Sequence, residues 1–160
     1  MFRVHRLTTA LLVPRPLDET FRFFADAGNL QRITPPWLDF RILTPLPIEM
    51  RPGALIEYRL RLRGMPIRWR TVIDAWEPPA RFVDRQLRGP YLLWRHTHTF
   101  EPVAGGTLCR DQVDYRVLGG WPIERFFVRP ELERIFTYRQ RATLEAFGAP
   151  PDRSIGVTIR

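Results

Sequence analysis

The 160-residue chain holds three histidines, and two of them stand two positions apart in YLLWRHTHTFEP, residues 91–102. Histidine titrates near neutral pH, so His96 and His98 are the residues best suited to move a proton. Beside an aspartate such a ring can serve as general acid or base. Two histidines and two aspartates can also hold a metal ion, although a two-residue spacing arises on any strand by alternation alone. A plainer use is a set of buried hydrogen bonds that fixes strand register. Other reactive groups offer less. Cys109 is the single cysteine, which excludes an internal disulfide framework and a cysteine-based metal site; it reads as a core residue. Ser154 lacks the context of a nucleophile elbow. The glycine pairs 105–106 and 119–120 mark turns, not a phosphate loop, and His5 reads as a surface or edge residue of the first strand.

The elements that carry these residues follow from periodicity. Phe2–Val13 alternates and is strand-like. Pro16, Asp18 and Glu19 suit a first helical turn, and Leu17, Phe21 and Phe24 then share one face. Gly28 and Asn29 should break this helix, with a short second helix near Leu30–Ile33 stopped by TPPW. From Leu38 to Leu118 the pattern is alternation between short turns, predicting strands at Asp39–Leu43, Ala54–Arg63, Ile67–Trp76, Arg81–Leu87, Leu92–Glu101 and Thr107–Leu118. Strands joined by turns of two to five residues pair antiparallel. After GGWP a helical period returns, with Leu132, Ile135, Phe136, Ala142 and Phe147 along one face up to Gly148. Trp37 either caps a cavity mouth or seals the core. The expected organisation is one domain over 1–148 and a tail over 149–160 outside the core.

Alternation puts Trp94, His96, His98 and Phe100 on one face of their strand and Arg95, Thr97 and Thr99 on the other. The aromatic face should point inward. Matching inner faces across the turns sets Phe100 opposite Cys109, His98 opposite Asp111, His96 opposite Val113 and Trp94 opposite Tyr115. On the other side Gln86 falls by Trp94, Asp84 by His96 and Phe82 by His98. A buried polar cluster of Asp84, Gln86, His96, His98 and Asp111 is therefore expected, inside an apolar wall.

Composition bounds the partners. No run approaches the length of a transmembrane helix, and MFRVHRLTTALLV is interrupted by charge as a signal peptide is not, so the cytoplasm is the expected compartment. The net charge is +8, yet all 25 basic residues are arginine and they are spread along the chain. That pattern looks like a genome-wide codon bias, and the localised basic patch of a nucleic-acid protein is missing. No cofactor motif occurs, and oligomeric state is not legible.

The stretches FRFFADAGNLQRITPPWLDFRIL, IEMRPGALIEYRLRLRGMPIRWRT, PPARFVDRQLRGPYLLWRHTHTFEP and ERFFVRPELERIFTYRQ resemble the bacterial SRPBCC proteins, the START-like or polyketide-cyclase-like helix-grip superfamily. The resemblance covers roughly residues 3–147. It implies an α+β fold: a curved seven-stranded antiparallel sheet gripping a long C-terminal helix, two short helices between the first two strands, and a cavity between sheet and helix. It does not fix one chemistry, since members bind lipids, sterols, polyketides or quinones and some are cyclases or dehydratases.

The expectation is thus a module that binds a small, mostly apolar molecule. Tyr58, Leu60, Trp69, Ile73, Phe82, Trp94, Phe100, Val113 and Tyr115 would supply the wall, and Asp84, Gln86, His96, His98 and Asp111 would orient a polar end. The alternative is a cyclase or dehydratase in which His96 or His98, with Asp84 and Asp111, transfers a proton. Neither metal nor cofactor is expected.

Overall fold

The computed structural model describes residues 3–151 and 154–160. Eight strands form one antiparallel sheet in the order β2-β3-β4-β5-β6-β7-β1-β8. They are β1 His5–Val13, β2 Arg41–Ile42, β3 Leu55–Leu62, β4 Met65–Glu77, β5 Arg81–Arg88, β6 Leu93–Val103, β7 Gly106–Arg116 and β8 Ser154–Ile159. The alternation of the sequence is visible in burial: β1 buries every second residue throughout, and β6 does so from Trp94 to Phe100. Between β3 and β4 the hairpin turns on Arg63 and Gly64, both with positive φ, at 51° and 81°. That left-handed pair matches the twist of the flanking strands, and the glycine adopts it without the cost a side chain adds.

Pairing follows the expected register at the centre of the sheet. Trp94, His96, His98 and Phe100 face Tyr115, Val113, Asp111 and Cys109. Phe82 and Asp84 face His98 and His96. Two irregularities in the β4–β5 ladder, at Arg70/Thr71 and Ile73/Ala75, bend the sheet as bulges do.

Three local differences from the sequence reading have physical reasons. The first helix, α1 Leu17–Ala25, ends at Asp26, whose side chain accepts a 2.8 Å bond from Gly28 N and so starts α2 Ala27–Leu30. Gly28 and Asn29 therefore lie inside the second helix, not at a break. A short turn of 3-10 helix at Pro36–Leu38 follows. The C-terminal residues, read as a tail outside the core, return as β8 against β1, from Leu11↔Ser154 to Leu7↔Ile159. The sheet thus has one strand more than the seven expected. With β8 alongside, β1 is not an edge, and His5, read as a surface or edge residue, is buried and stacked on Tyr115 at 5.5 Å.

The long helix is assembled from α3 Gly120–Ile123, a π-helical turn at Glu124–Val128, and α4 Arg129–Ala146. Leu132 and Phe136 join the core cluster built on Trp69, Trp94, Val113 and Tyr115. At the far end Phe21 of α1 packs with Phe82, Phe100, Leu144 and Phe147. A buried polar knot pins the start of the helix. Glu124 is fully buried and accepts hydrogen bonds from Tyr115 Oη at 2.8 Å and Arg129 Nε at 3.1 Å. Arg129 Nη1 donates to the carbonyl of Ile159 at 2.9 Å, and His5 Nδ1 lies 3.7 Å from Glu124. Glu124 and Arg129 together thus tie β7, β8 and the helix, while the nearby His5 Nδ1 on β1 has no hydrogen-bond partner.

Candidate ligand cavity and its histidine–aspartate cluster

A cavity of about 180 Å³ lies between the inner face of the sheet and α4. Phe24, Ala27, Leu30, Leu38 and Phe40 close it from the α1–β2 connection, and Tyr58, Leu60, Trp69, Ile73, Phe82 and Trp94 form the sheet wall. The helix contributes Leu132, Ile135, Phe136 and Arg139. Their spacing of i, i+3, i+4 and i+7 is one helical stripe, and the arginine occupies its last position.

Asp84, His96 and His98 also line the cavity. The hydrogen bonds run diagonally, not between the residues directly opposite. His96 Nε2 pairs with Asp111 Oδ1 at 2.8 Å, and His98 Nε2 with Asp84 Oδ2 at 2.8 Å. His98 Nδ1 lies 3.0 Å from Asp111 Oδ1 without hydrogen-bond alignment, and Thr9 Oγ1 donates to Asp111 Oδ2 at 3.3 Å. The two imidazoles are 3.7 Å apart, His98 stacks on Phe82 at 4.1 Å, and Phe136 of the helix closes over His96 at 5.7 Å.

The electrostatics follow from this geometry. Burial works to raise the Asp84 carboxyl, but the hydrogen bond from His98 and the fields of His96, His98 and Arg139 outweigh it and hold the group below its ordinary range. Asp111 behaves the same way and lies further down: burial raises it, while His96, His98 and Arg139 lower it more. Burial also disfavours charge on both rings. In His98 two aspartate contacts overcome that and raise its pKa, whereas in His96 burial and the neighbouring His98 charge prevail and lower it. The rings are thus driven apart in affinity for a proton. When His98 holds it, two carboxylates face one imidazolium and the Arg139 guanidinium, and the charges cancel.

Arg139 is the unbalanced member in hydrogen bonding. Its Nε is buried without a partner, and among the described residues no ion pair or hydrogen bond holds its guanidinium. A guanidinium carries five donors and no acceptor, and leaving buried donors unmade costs free energy. The carboxylates that neutralise its charge are engaged with the histidines.

Metal binding finds less support. Ligand atoms of Asp84, His96 and His98 lie within 4.8 Å of one another. Those atoms, however, are committed to each other: His98 Nε2 is spent on Asp84, and the cationic Arg139 faces the same space.

Five residues expected around the ligand, Phe100, Val113 and Tyr115 in the wall and Gln86 and Asp111 at the polar end, are not among those that line the cavity. Gln86 turns away to clamp the backbone of Tyr91, donating to its carbonyl at 2.8 Å and accepting from its N–H at 3.2 Å. The ladder ends at Arg85↔Arg95, so Gln86 does not pair with Trp94. Phe100 and Asp111 border a void of only about 10 Å³ behind the histidines, with Cys109, whose thiol burial pushes up. Val113 and Tyr115 are fully covered, and Tyr115 is spent on Glu124. Trp37 does not line the cavity; it lies on the outer side of α4, bonded to Glu131, with the Arg134 guanidinium 4.8 Å over its ring. The neighbouring Leu38 and Phe40 reach in instead.

Residues 13–142 match the family model described as polyketide cyclase / dehydrase and lipid transport. The chain belongs to that family. No curated protein matches it. Solved structures repeat the fold of this polyketide cyclase/dehydrase member. Ara h 8.0201 superposes with a TM-score of 0.68 at 15% identity, over 91% of this chain and 98% of the other. The ZhuI aromatase/cyclase from Streptomyces sp. R1128 gives 0.68 at 17% identity, over 92% and 94%. A nucleoside-diphosphate sugar epimerase from Corynebacterium glutamicum gives 0.65 at 25% identity, over 88% of this chain but 29% of its own. The α+β helix-grip architecture expected of the family is the one observed. No helix among the described residues is long and apolar enough to cross a membrane.

The sequence reading missed the helix side of the cavity. The signal was present: Arg139 falls on the same stripe as Leu132, Ile135 and Phe136, and a polar residue on an otherwise apolar stripe is the informative exception.

Proposed function

We propose that the protein binds a compact, mostly apolar molecule in this cavity, with a neutral hydrogen-bond acceptor such as a ketone or quinone oxygen turned toward Arg139. The observation that carries this reading is the unpartnered buried Arg139 Nε beside two carboxylates already engaged by the histidines. An anionic head would leave an uncompensated charge in a low-dielectric space, whereas a carbonyl takes the donor and adds no charge. Volume bounds the apolar part. A dry cavity of roughly 150 Å³ accepts benzene, so the present space suits one or two rings, and a longer chain must pass out through a widened mouth. Asp84, His96 and His98 hold the polar end, and Tyr58, Leu60, Trp69, Ile73, Phe82 and Trp94 supply the wall.

Calorimetry with 1,4-naphthoquinone and with naphthalene tests this. The quinone should bind about tenfold more tightly, the worth of roughly one good hydrogen bond, and Arg139→Met should erase the difference. Equal affinities in the wild type contradict the reading.

The opposite displacement of the two histidines supports a second reading, a cyclase or dehydratase. Groups pushed apart in pKa within one cavity are how an acid and a base are set side by side. His98 would then protonate a departing hydroxyl while His96, neutral, takes a proton. Dehydration of a cyclic β-hydroxyketone, lost in His98→Gln and slowed in His96→Gln, supports it; no dehydration by the wild type removes it.

A further inference from the structure

Among the described residues, the most exposed large apolar side chains are not at the cavity. Most lie on the stretch that opens the long helix. Leu118, Trp121 and Phe126 are 67%, 63% and 62% exposed, and Phe127 is 47% exposed. Trp121 and Phe126 touch edge to face at 5.8 Å, so the aromatics form a patch and not scattered singles. The π-helical turn at Glu124–Val128 accounts for the arrangement. It keeps Glu124 inward on Tyr115 and Arg129 while Arg125, Phe126 and Phe127 all face out. Contiguous exposed apolar groups of this kind mark interaction surfaces.

The charge around the patch indicates what covers it. Between Leu118 and Pro130 the only acidic residue is Glu124, and it is fully buried. Arg125 is exposed within the patch. Arg63, from the β3–β4 turn, lies 5.0 Å over the Phe127 ring and donates to the Phe127 carbonyl at 3.4 Å. Met65, the first residue of β4 beyond that turn, is 66% exposed. Tryptophan and phenylalanine flanked by arginines, with no exposed acid in the segment, are the composition of a surface that enters the headgroup layer of an anionic bilayer. The rings enter the acyl boundary while the guanidinium groups stay among the phosphates.

We infer that the Trp121–Phe127 surface docks the protein reversibly onto an anionic lipid surface. This is contact with one leaflet, not insertion across it, and it stands whether or not the cavity holds a ligand. Aromatic burial and arginine–phosphate attraction act together, so binding weakens as salt screens the charges.

Co-sedimentation of the full chain with phosphatidylcholine vesicles, alone or containing phosphatidylglycerol, tests the inference. The wild type should partition at least tenfold more strongly onto the anionic vesicles. The double variant Trp121→Ser with Phe126→Ser should lose at least tenfold of that partitioning at an unchanged thermal midpoint, since both side chains are exposed. Arg63→Gln with Arg125→Gln should lose the preference for anionic lipid and most of the salt dependence. Absence of binding to anionic vesicles overturns the inference, as does binding that survives loss of the two aromatics. A wild-type dimer in sedimentation that the double serine variant converts to monomer also overturns it, because the surface is then covered by a second copy.

Discussion

Two polar clusters are buried under the same helix, one turn of chemistry apart in kind. At its start, Glu124 accepts from Tyr115 and Arg129, and Arg129 also donates to the carbonyl of Ile159. Further along, Asp84, Asp111, His96 and His98 bond across one another, and Arg139 above them keeps a buried Nε without a partner. In the first cluster the carboxylate itself is fully covered. The second faces a cavity. A charge that is fully paired holds elements in place, whereas a donor left open beside an apolar space is of use only to something that enters it.

That contrast sets an order of effects. Glu124→Ala should be the most damaging single change, at about 3–5 kcal/mol of stability in chemical denaturation, because it strands a partly buried arginine. A loss below about 1 kcal/mol would mean that the knot is ornamental. His98→Ala should cost about 1–3 kcal/mol by stripping Asp84 of its hydrogen bond. Arg95→Ala, on the solvent face of the same strand, should cost nothing measurable. Equal losses would show the two faces of β6 to be misassigned.

The pH dependence sharpens the comparison at the cavity. His98 has its pKa raised on folding, so its contribution is fully present below 6.5, the ordinary histidine value, and is lost as pH rises through the higher folded value. His96 has its pKa lowered, so the unfolded chain takes up a proton first and stability falls as pH drops below 6.5. Asp84 and Asp111, both lowered, give stability that is present above the ordinary carboxylate range and lost as pH falls through their folded values. Proton-detected titration of the two imidazoles should find His98 titrating above His96; coincident curves would contradict the crossed pairing. Arg139→Met should have a smaller effect than Glu124→Ala. It breaks no hydrogen bond but removes a positive charge that favours the Asp84 and Asp111 carboxylates, so it should cost some stability, yet less than a comparable change at Arg129, which is bonded to Glu124. A large loss at Arg139 would mean that it is structural like its counterpart.

Much of this arrangement was legible in the sequence, because strand alternation is a local property with a strict period. Trp94, His96, His98 and Phe100 had to share a face, and short turns left few registers, so Asp84 and Asp111 came to the histidines. What alternation does not carry is the diagonal reach of the side chains, which set each histidine on the aspartate not predicted for it. Gln86 escaped because the ladder stops before it and the loop to Tyr91 offered better partners. The helix side was less legible for a different reason. Its stripe mixes Leu132 and Phe136 with Arg139 and Gln140, and polar members hide a periodicity sought among apolar residues. The eighth strand is short and follows APPDR, and nothing local announces that residues 154–159 complete a sheet whose neighbour is β1, about 145 positions earlier.

The most direct test is nitrogen-15 NMR of the arginine Nε–H groups during titration with 1,4-naphthoquinone. The account predicts that the Arg139 signal shifts and gains protection from solvent exchange while the Arg129 signal, already bonded to Glu124, stays in place. A ligand that binds without moving Arg139, or that moves Arg129 instead, would contradict it.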